Sequence, residues 1–169
     1  MHKNINDICF IIQARLSSQR CPRKMIRPFA NTSLTEIGIR KILDSDFIPK
    51  DNFYLSVYEP ELIEVGNRLG VNVFHRSIES AEWDASRTSK GLPNPNPHIT
   101  GMYEWWDKLP FKYVVLINAC VPLLKTKTIE DFTKAYMKSE SDGMFAVIEK
   151  MNYFWNEQHE LLTPLRESA

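Results

Sequence analysis

Residues 8–25 read Ile8-Cys9-Phe10-Ile11-Ile12-Gln13-Ala14-Arg15-Leu16-Ser17-Ser18-Gln19-Arg20-Cys21-Pro22-Arg23-Lys24-Met25, and the fold turns on them. The apolar run from Ile8 to Ile12 predicts a strand buried on both faces. It stops in a segment that holds Arg15, Arg20, Arg23 and Lys24 together with two serines and a proline. Cations this close repel one another unless something anionic sits among them. In an open α/β sheet the carboxyl ends of the strands are where ligands bind. A strand running into such a loop therefore reads as a polyphosphate cradle.

Outward from that stretch, strand and helix patterns alternate. Residues Leu34 to Leu43 place Leu34, Ile37, Ile39 and Ile42 on a helical stripe. Thr32 or Ser33 is the predicted cap, and Glu36 stands at capping-box distance from Ser33. A strand follows at Phe53–Val57, then a helix from Pro60 to Leu69 with Gly70 at its expected stop, then a strand at Val71–Phe74. Tyr113–Ile117 is the most apolar strand and is expected to be central. A helix over Ile129–Lys138 and a strand over Met144–Ile148 complete the pattern. Alternation of this kind predicts a mostly parallel, doubly wound α/β sheet in one domain over residues 1–169. Ser77 to Thr100, with Pro93, Pro95 and Pro97 alternating with asparagines, is expected to be an irregular loop, either a lid facing the substrate or a mobile segment.

The bulk numbers narrow the function. Twenty-one Lys and Arg balance twenty-one Asp and Glu, so no global field draws the chain to nucleic acid or membrane. Basic charge is concentrated in the first loop, which favours a small anionic ligand. Cys9, Cys21 and Cys120 are an odd number at wide spacing, unsuited to a disulfide framework or a zinc site. Cys120 is expected to be a small buried thiol and His75 a structural residue. No apolar run approaches membrane-spanning length, and the first residues lack the hydrophobic stretch of a signal peptide. A reducing cytoplasm is the expected setting.

The motif Ala14-Arg15-x-x-Ser18-x-Arg20-x-Pro22-x-Lys24, directly after the first strand, resembles the signature loop of the sugar nucleotidyltransferases. Within them it is most similar to the CMP-N-acylneuraminate (sialic acid) cytidylyltransferases. Gln19-Arg20 is closer to the related spore-coat-polysaccharide type, and Leu16 and Ser17 stand where the loop often has glycine. The resemblance implies a Rossmann-like three-layer α/β/α fold and a reaction of CTP with an acidic sugar, sialic acid or a related nonulosonic acid, giving a CMP-sugar and pyrophosphate. It places Ala14, Arg15, Ser18, Arg20 and Lys24 on the triphosphate, with Arg15 and Lys24 neutralising charge as pyrophosphate leaves.

The same resemblance implies that Arg76, closing the third strand, lies near the nucleotide. Asp84 would serve the catalytic Mg²⁺, and Asn118 would contact base and ribose in place of the family's glutamine. Of the aromatics Trp105, Trp106, Tyr153, Phe154 and Trp155, most are expected in the core, with one or two at the sugar site. Family members are homodimers with a late carboxylate and a dimerisation element, neither of which is found up to Ala169. The expectation is thus an N-terminal nucleotide-binding portion with little turnover by itself. The alternatives are a non-catalytic or truncated nucleotide-binding domain of the same fold, or a sugar nucleotidyltransferase of the spore-coat-polysaccharide type.

Overall fold

The computed structural model describes residues 3–18, 20–83, 98–148 and 153–163. Strand β1 spans Ile8–Gln13 and is followed by helix α1 at Leu34–Leu43. Then come β2 at Phe53–Val57, α2 at Pro60–Arg68 and β3 at Asn72–His75. A single turn, α3, covers Ile78–Ala81; β4 spans Tyr113–Ile117 and α4 Thr126–Lys138. The strands pair in the order β3-β2-β1-β4, and every pairing is parallel. This is the predicted α/β class.

The side-chain alternation of β1 divides the core in two. Ile8, Phe10 and Ile12 pack with Phe53, Leu55, Val57, Val115 and Ile117 beneath Ile39, Ile42, Leu62 and Ile129 of the helices. Cys9 and Ile11 face the other way, against Trp105, with Tyr54, Phe74, Tyr103, Leu109 and Phe111 around them. With both faces covered, β1 has no polar side to expose, which is why its sequence runs apolar without alternating.

Local chemistry sets the element ends. Ser33, not Thr32, caps α1 by accepting a hydrogen bond from the Glu36 amide. Gly70 has φ 66° and closes α2 in the left-handed conformation glycine takes without strain. The Val71 amide donates to the Gly66 carbonyl and so still belongs to that closure, which moves β3 one residue later than predicted.

Three expectations are corrected. Strand β4 is not central: among the described residues it ends the sheet, and Val114 and Leu116 on its second face are 40% and 47% exposed. Residues 78–81, expected to be irregular, form α3, capped by the Ser77 hydroxyl on the Ser80 amide; residues 84–97, with the alternating prolines, lie outside the described residues. Met144–Ile148 forms no strand, and Phe145, Val147 and Ile148 are 87%, 86% and 85% exposed. An apolar β-prone run becomes a strand only where a neighbour pairs with it, and no described residue does. Among the described residues, no helix is long and apolar enough to cross a membrane.

Candidate functional site

All four strands point their carboxyl ends to one edge, and β1 is the point at which the strand order reverses, with β2 and β3 to one side and β4 to the other. Helix α1 lies close over this switch point. A Cβ built on Gly38 would sit 3.1 Å from Ile12 Cδ1 and 3.4 Å from Ala119 Cβ, so a larger residue there would lift the helix off the β1–β4 crevice.

The cation loop leaves β1 under tight control. Ala14 N–H donates to Ser56 O at 3.2 Å, which extends the β1–β2 ladder by one residue. Leu16 is buried, its amide donates to Glu59 Oε1 at 2.6 Å, and its carbonyl accepts from the Arg23 amide at 3.2 Å. Further on, the Met25 carbonyl accepts from both the amide and the hydroxyl of Thr35, pinning the loop's far end to α1. Among the loop's described residues the left-handed one is Arg23, with φ 54°. The loop therefore does without glycine at Leu16 and Ser17, because Leu16 is an apolar anchor and the unusual backbone falls elsewhere.

The four cations have different fates. Arg23 pairs with Glu61 at 2.9 Å. Arg15 donates from Nη1 to the Ala81 carbonyl at 3.3 Å; burial pulls its pKa down, while the charges of Glu59 and Glu82 act against that. Arg20 is exposed and Lys24 half-buried, and neither side chain has an ion-pair partner among the described residues. Ser18 is half-buried within the same loop.

Arg76 is 5% exposed. Its Nε donates to Ser80 Oγ at 3.2 Å, and its Nη2 donates to the Ser80 carbonyl and, at 3.3 Å, to the Met102 carbonyl. Burial first, and the nearby Arg15 charge second, lower its pKa to about 10, so the guanidinium stays charged at neutral pH. Arg15 and Arg76 share a pocket of about 100 Å³ with Gln13, Ala14, Ser80, Ala81 and Met102. Gln13 organises the wall: Nε2 donates to the Met102 carbonyl at 3.2 Å, and Oε1 accepts from Trp105 Nε1–H at 2.9 Å. Sequence reasoning missed Gln13, although one amide ending an apolar strand was the available signal. It also missed Glu59 and Met102, which act through partners distant in sequence.

The other predicted residues lie apart. Asn118 follows β4, on the far side of β1 from Arg76; three strand spacings separate β3 from β4, roughly 14 Å. Asn118 Oδ1 accepts from the Cys120 amide at 2.8 Å, so the side chain caps its own turn. Cys120, expected to be buried, is exposed, because that turn carries it out past the strand end. Of the aromatics, Trp105 is core while Trp106, Tyr153, Phe154 and Trp155 are exposed, which corrects the expectation that most are buried. Asp84 lies outside the described residues. Among the described residues no three His, Cys, Asp or Glu side chains gather as a metal site; Glu59, beside the pocket, already holds an amide. Magnesium at a phosphoryl-transfer site takes one or two carboxylates with substrate oxygens and water.

Three comparisons bear on the family. A model of the cytidylyltransferase family matches residues 9–165. The spore coat polysaccharide biosynthesis protein SpsF of Bacillus subtilis (strain 168) is 45% identical over 81 residues, 44% of this chain and 34% of its own length. The pseudaminic acid cytidylyltransferase of Campylobacter jejuni (serotype O:23/36, strain 81-176) is 25% identical over 145 residues, 86% of this chain and 59% of its own. The chain thus spans only part of the length of the curated relatives it matches. Two solved structures share the fold. A CMP:2-keto-3-deoxy-manno-octonic acid synthetase complexed with CTP superposes with TM-score 0.56 at 12% identity, covering 76% of this chain and 46% of its own. A cytidylyltransferase from Leptospira borgpetersenii superposes with TM-score 0.55 at 20% identity, covering 79% and 50%.

Proposed function

The chain belongs to the cytidylyltransferase family, and from that premise we propose that it takes up CTP at the carboxyl edge of the sheet and serves transfer of the CMP unit to an acidic sugar. The observation that supports this most is the convergence of Arg15 and Arg76 on one small pocket that Gln13, Ala14, Ser80, Ala81 and Met102 complete. Cytosine presents an amino donor beside two acceptors along its hydrogen-bonding edge. Arg76 supplies donors, and the Ala81 carbonyl, which accepts from Arg15 Nη1, has a second lone pair to offer.

The triphosphate then runs along the cation loop over Ser18 towards Arg20 and Lys24. The sugar's anomeric hydroxyl attacks the α-phosphorus in line, a new P–O bond forms, and the bond to pyrophosphate breaks. Arg15 and Lys24 offset the charge that gathers on the departing group. Asn118, across β1, belongs to the acceptor side, with Nδ2 as the donor left after Oδ1 has capped the turn. The family generally uses a divalent metal; no three-ligand cluster gathers among the described residues, and no step here is routed through a metal. The acceptor is sialic acid or a related nonulosonic acid, with the sugar of a spore-coat-type enzyme as the alternative that the SpsF likeness favours.

Competition calorimetry with CTP, UTP, ATP and GTP tests the reading. CTP is expected to bind best, and Lys24→Ala to weaken it about tenfold or more, since a charge-assisted phosphate contact is worth roughly 1.5–3 kcal/mol. Purines that bind as well as CTP, or an unchanged affinity in Lys24→Ala, would overturn it. Pyrophosphate release from CTP with N-acetylneuraminate then separates a competent enzyme from a nucleotide-binding unit.

A further inference from the structure

We propose that Glu59 is the cation loop's built-in counter-anion: a positioning residue that latches the loop root to β2 and restrains its hold on polyphosphate, so that pyrophosphate leaves. The proposal rests on the nucleotide site above and adds a residue that the signature motif does not contain.

The geometry begins at the Leu16 peptide, one residue past Arg15. Its N–H donates to Glu59 Oε1 at 2.6 Å, and its carbonyl accepts from the Arg23 amide at 3.2 Å. Glu59 follows β2 and its own carbonyl accepts from the amides of Leu62 and Ile63 in the first turn of α2, so it sits on fixed backbone. A short charge-assisted bond from that base holds the root of the loop.

The second carboxylate oxygen identifies the electrostatic role. Glu59 Oε2 is buried and has no hydrogen-bond partner among the described residues. An acceptor left this way is costly, and a carboxylate tolerates it only in a positive field. Arg15 and Arg76 provide that field: the Glu59 charge acts on both guanidiniums and favours their charged forms. Yet it forms no ion pair with Arg76, whose observed hydrogen bonds go to Ser80 and Met102. Glu59 thus balances the two cations at a distance without occupying the pocket. It also takes the amide donor at the loop root that a phosphate would otherwise reach. Both effects lower affinity for a polyanion, the product pyrophosphate included.

Inorganic pyrophosphate, titrated calorimetrically, is the probe. Glu59→Gln keeps an acceptor for the Leu16 amide and removes the charge. It is expected to bind pyrophosphate about three- to tenfold tighter than wild type. Glu59→Ala removes the latch too, and the Leu16 amide should then exchange with solvent faster by NMR than in wild type or Glu59→Gln. Should Glu59→Gln fold poorly, Glu59→Asp, shorter but still charged, should lose Leu16 protection without tightening pyrophosphate. Unchanged or weaker pyrophosphate binding by folded Glu59→Gln overturns the restraint, and equal Leu16 protection in Glu59→Ala overturns the latch. Wild-type protein that binds pyrophosphate but not CTP would instead overturn the nucleotide reading and leave Glu59's role standing. Wild type that binds neither overturns both the nucleotide reading and the restraint, with the latch still judged by Leu16 exchange.

Discussion

Residues 8–76 and residues 113–148 carry similarly apolar strand patterns and have met different ends. In the first region Ile8, Phe10, Ile11 and Ile12 are fully buried, with helices over one face and Trp105 over the other. In the second, β4 buries Val115 and Ile117 but leaves Val114 and Leu116 partly open, and 145–148 is almost entirely exposed. An apolar run states a demand for cover, while cover itself comes from neighbours that the run does not encode. The comparison also orders the stability of the molecule, because exposed apolar side chains contribute little to it.

The largest expected effect tests that ordering. Phe10→Ala empties a site at 0% exposure and should cost about 3–5 kcal/mol, enough to threaten folding of a single domain. Leu116→Ser, on the open face of β4, should stay within about 0.5 kcal/mol. Urea unfolding of both variants breaks the comparison if Leu116→Ser approaches Phe10→Ala, since something would then cover that face.

Two glycines, one in each region, sharpen it. A Cβ on Gly66 would lie 2.6 Å from Val73 Cγ2 and 3.1 Å from Leu55 Cδ2, so Gly66→Ala pushes α2 away from β2 and β3. Overpacking of that kind costs about 1–3 kcal/mol. Gly143 has nothing among the described residues within 4 Å of a built Cβ and no positive φ; Gly143→Ala should be neutral or stabilise slightly through the unfolded chain. Thermal melts of the pair are expected to differ in sign or nearly so. Equal losses would mean that the helix and the tail are packed alike.

These outcomes mark what the amino-acid sequence discloses. β1, α1, β2, α2 and β4 were legible because hydrophobic period and caps are local properties, and Ser33, Gly70 and the Pro60 start kept their predicted places. Met144–Ile148 was misread because pairing is not local. The site divides in the same way. Arg15 and Arg76 stand just past strand ends and Lys24 in the loop that follows the first strand, so all three could be found by position. Gln13 also ends a strand, but its role and that of Glu59 lie in partners distant in sequence: the Met102 carbonyl, the Trp105 indole and the Leu16 amide. Nor did counting charges show that Arg23 is already paired.

The cysteines extend the contrast to pH. Burial pushes the Cys9 thiol up to about 12 from an ordinary value of 9.0. A thiol that ionises later in the folded than in the unfolded state holds its proton better when folded. Stability is therefore complete below pH 9.0 and is lost as pH rises from there towards about 12, by about 1.4 kcal/mol per pH unit. Cys9→Ala should flatten that limb of the stability–pH curve. A curve unchanged by the substitution would place the alkaline loss on another group. Cys120, exposed at the end of β4, should by contrast react with a thiol reagent in the native protein at neutral pH, while Cys9 waits for unfolding.

The smallest effect falls between two adjacent cations. Lys24 has no ion-pair partner among the described residues, whereas Arg23 pairs with Glu61 while both remain about half exposed. That pair is screened by water and adds little to stability, but it turns Arg23 towards α2. Arg23 also holds φ 54°, where glycine is at ease and a side chain is strained. Arg23→Gly therefore relieves backbone strain as it gives up a screened pair, and the loop conformation should survive. CTP affinity should change by no more than about twofold, against the tenfold or greater loss expected for Lys24→Ala. A loss in Arg23→Gly as large as that of Lys24→Ala would show that Arg23 leaves Glu61 for the phosphates on binding. The loop would then engage the nucleotide with all four of its cations, and the division of labour drawn here from the ligand-free fold would have to be redrawn.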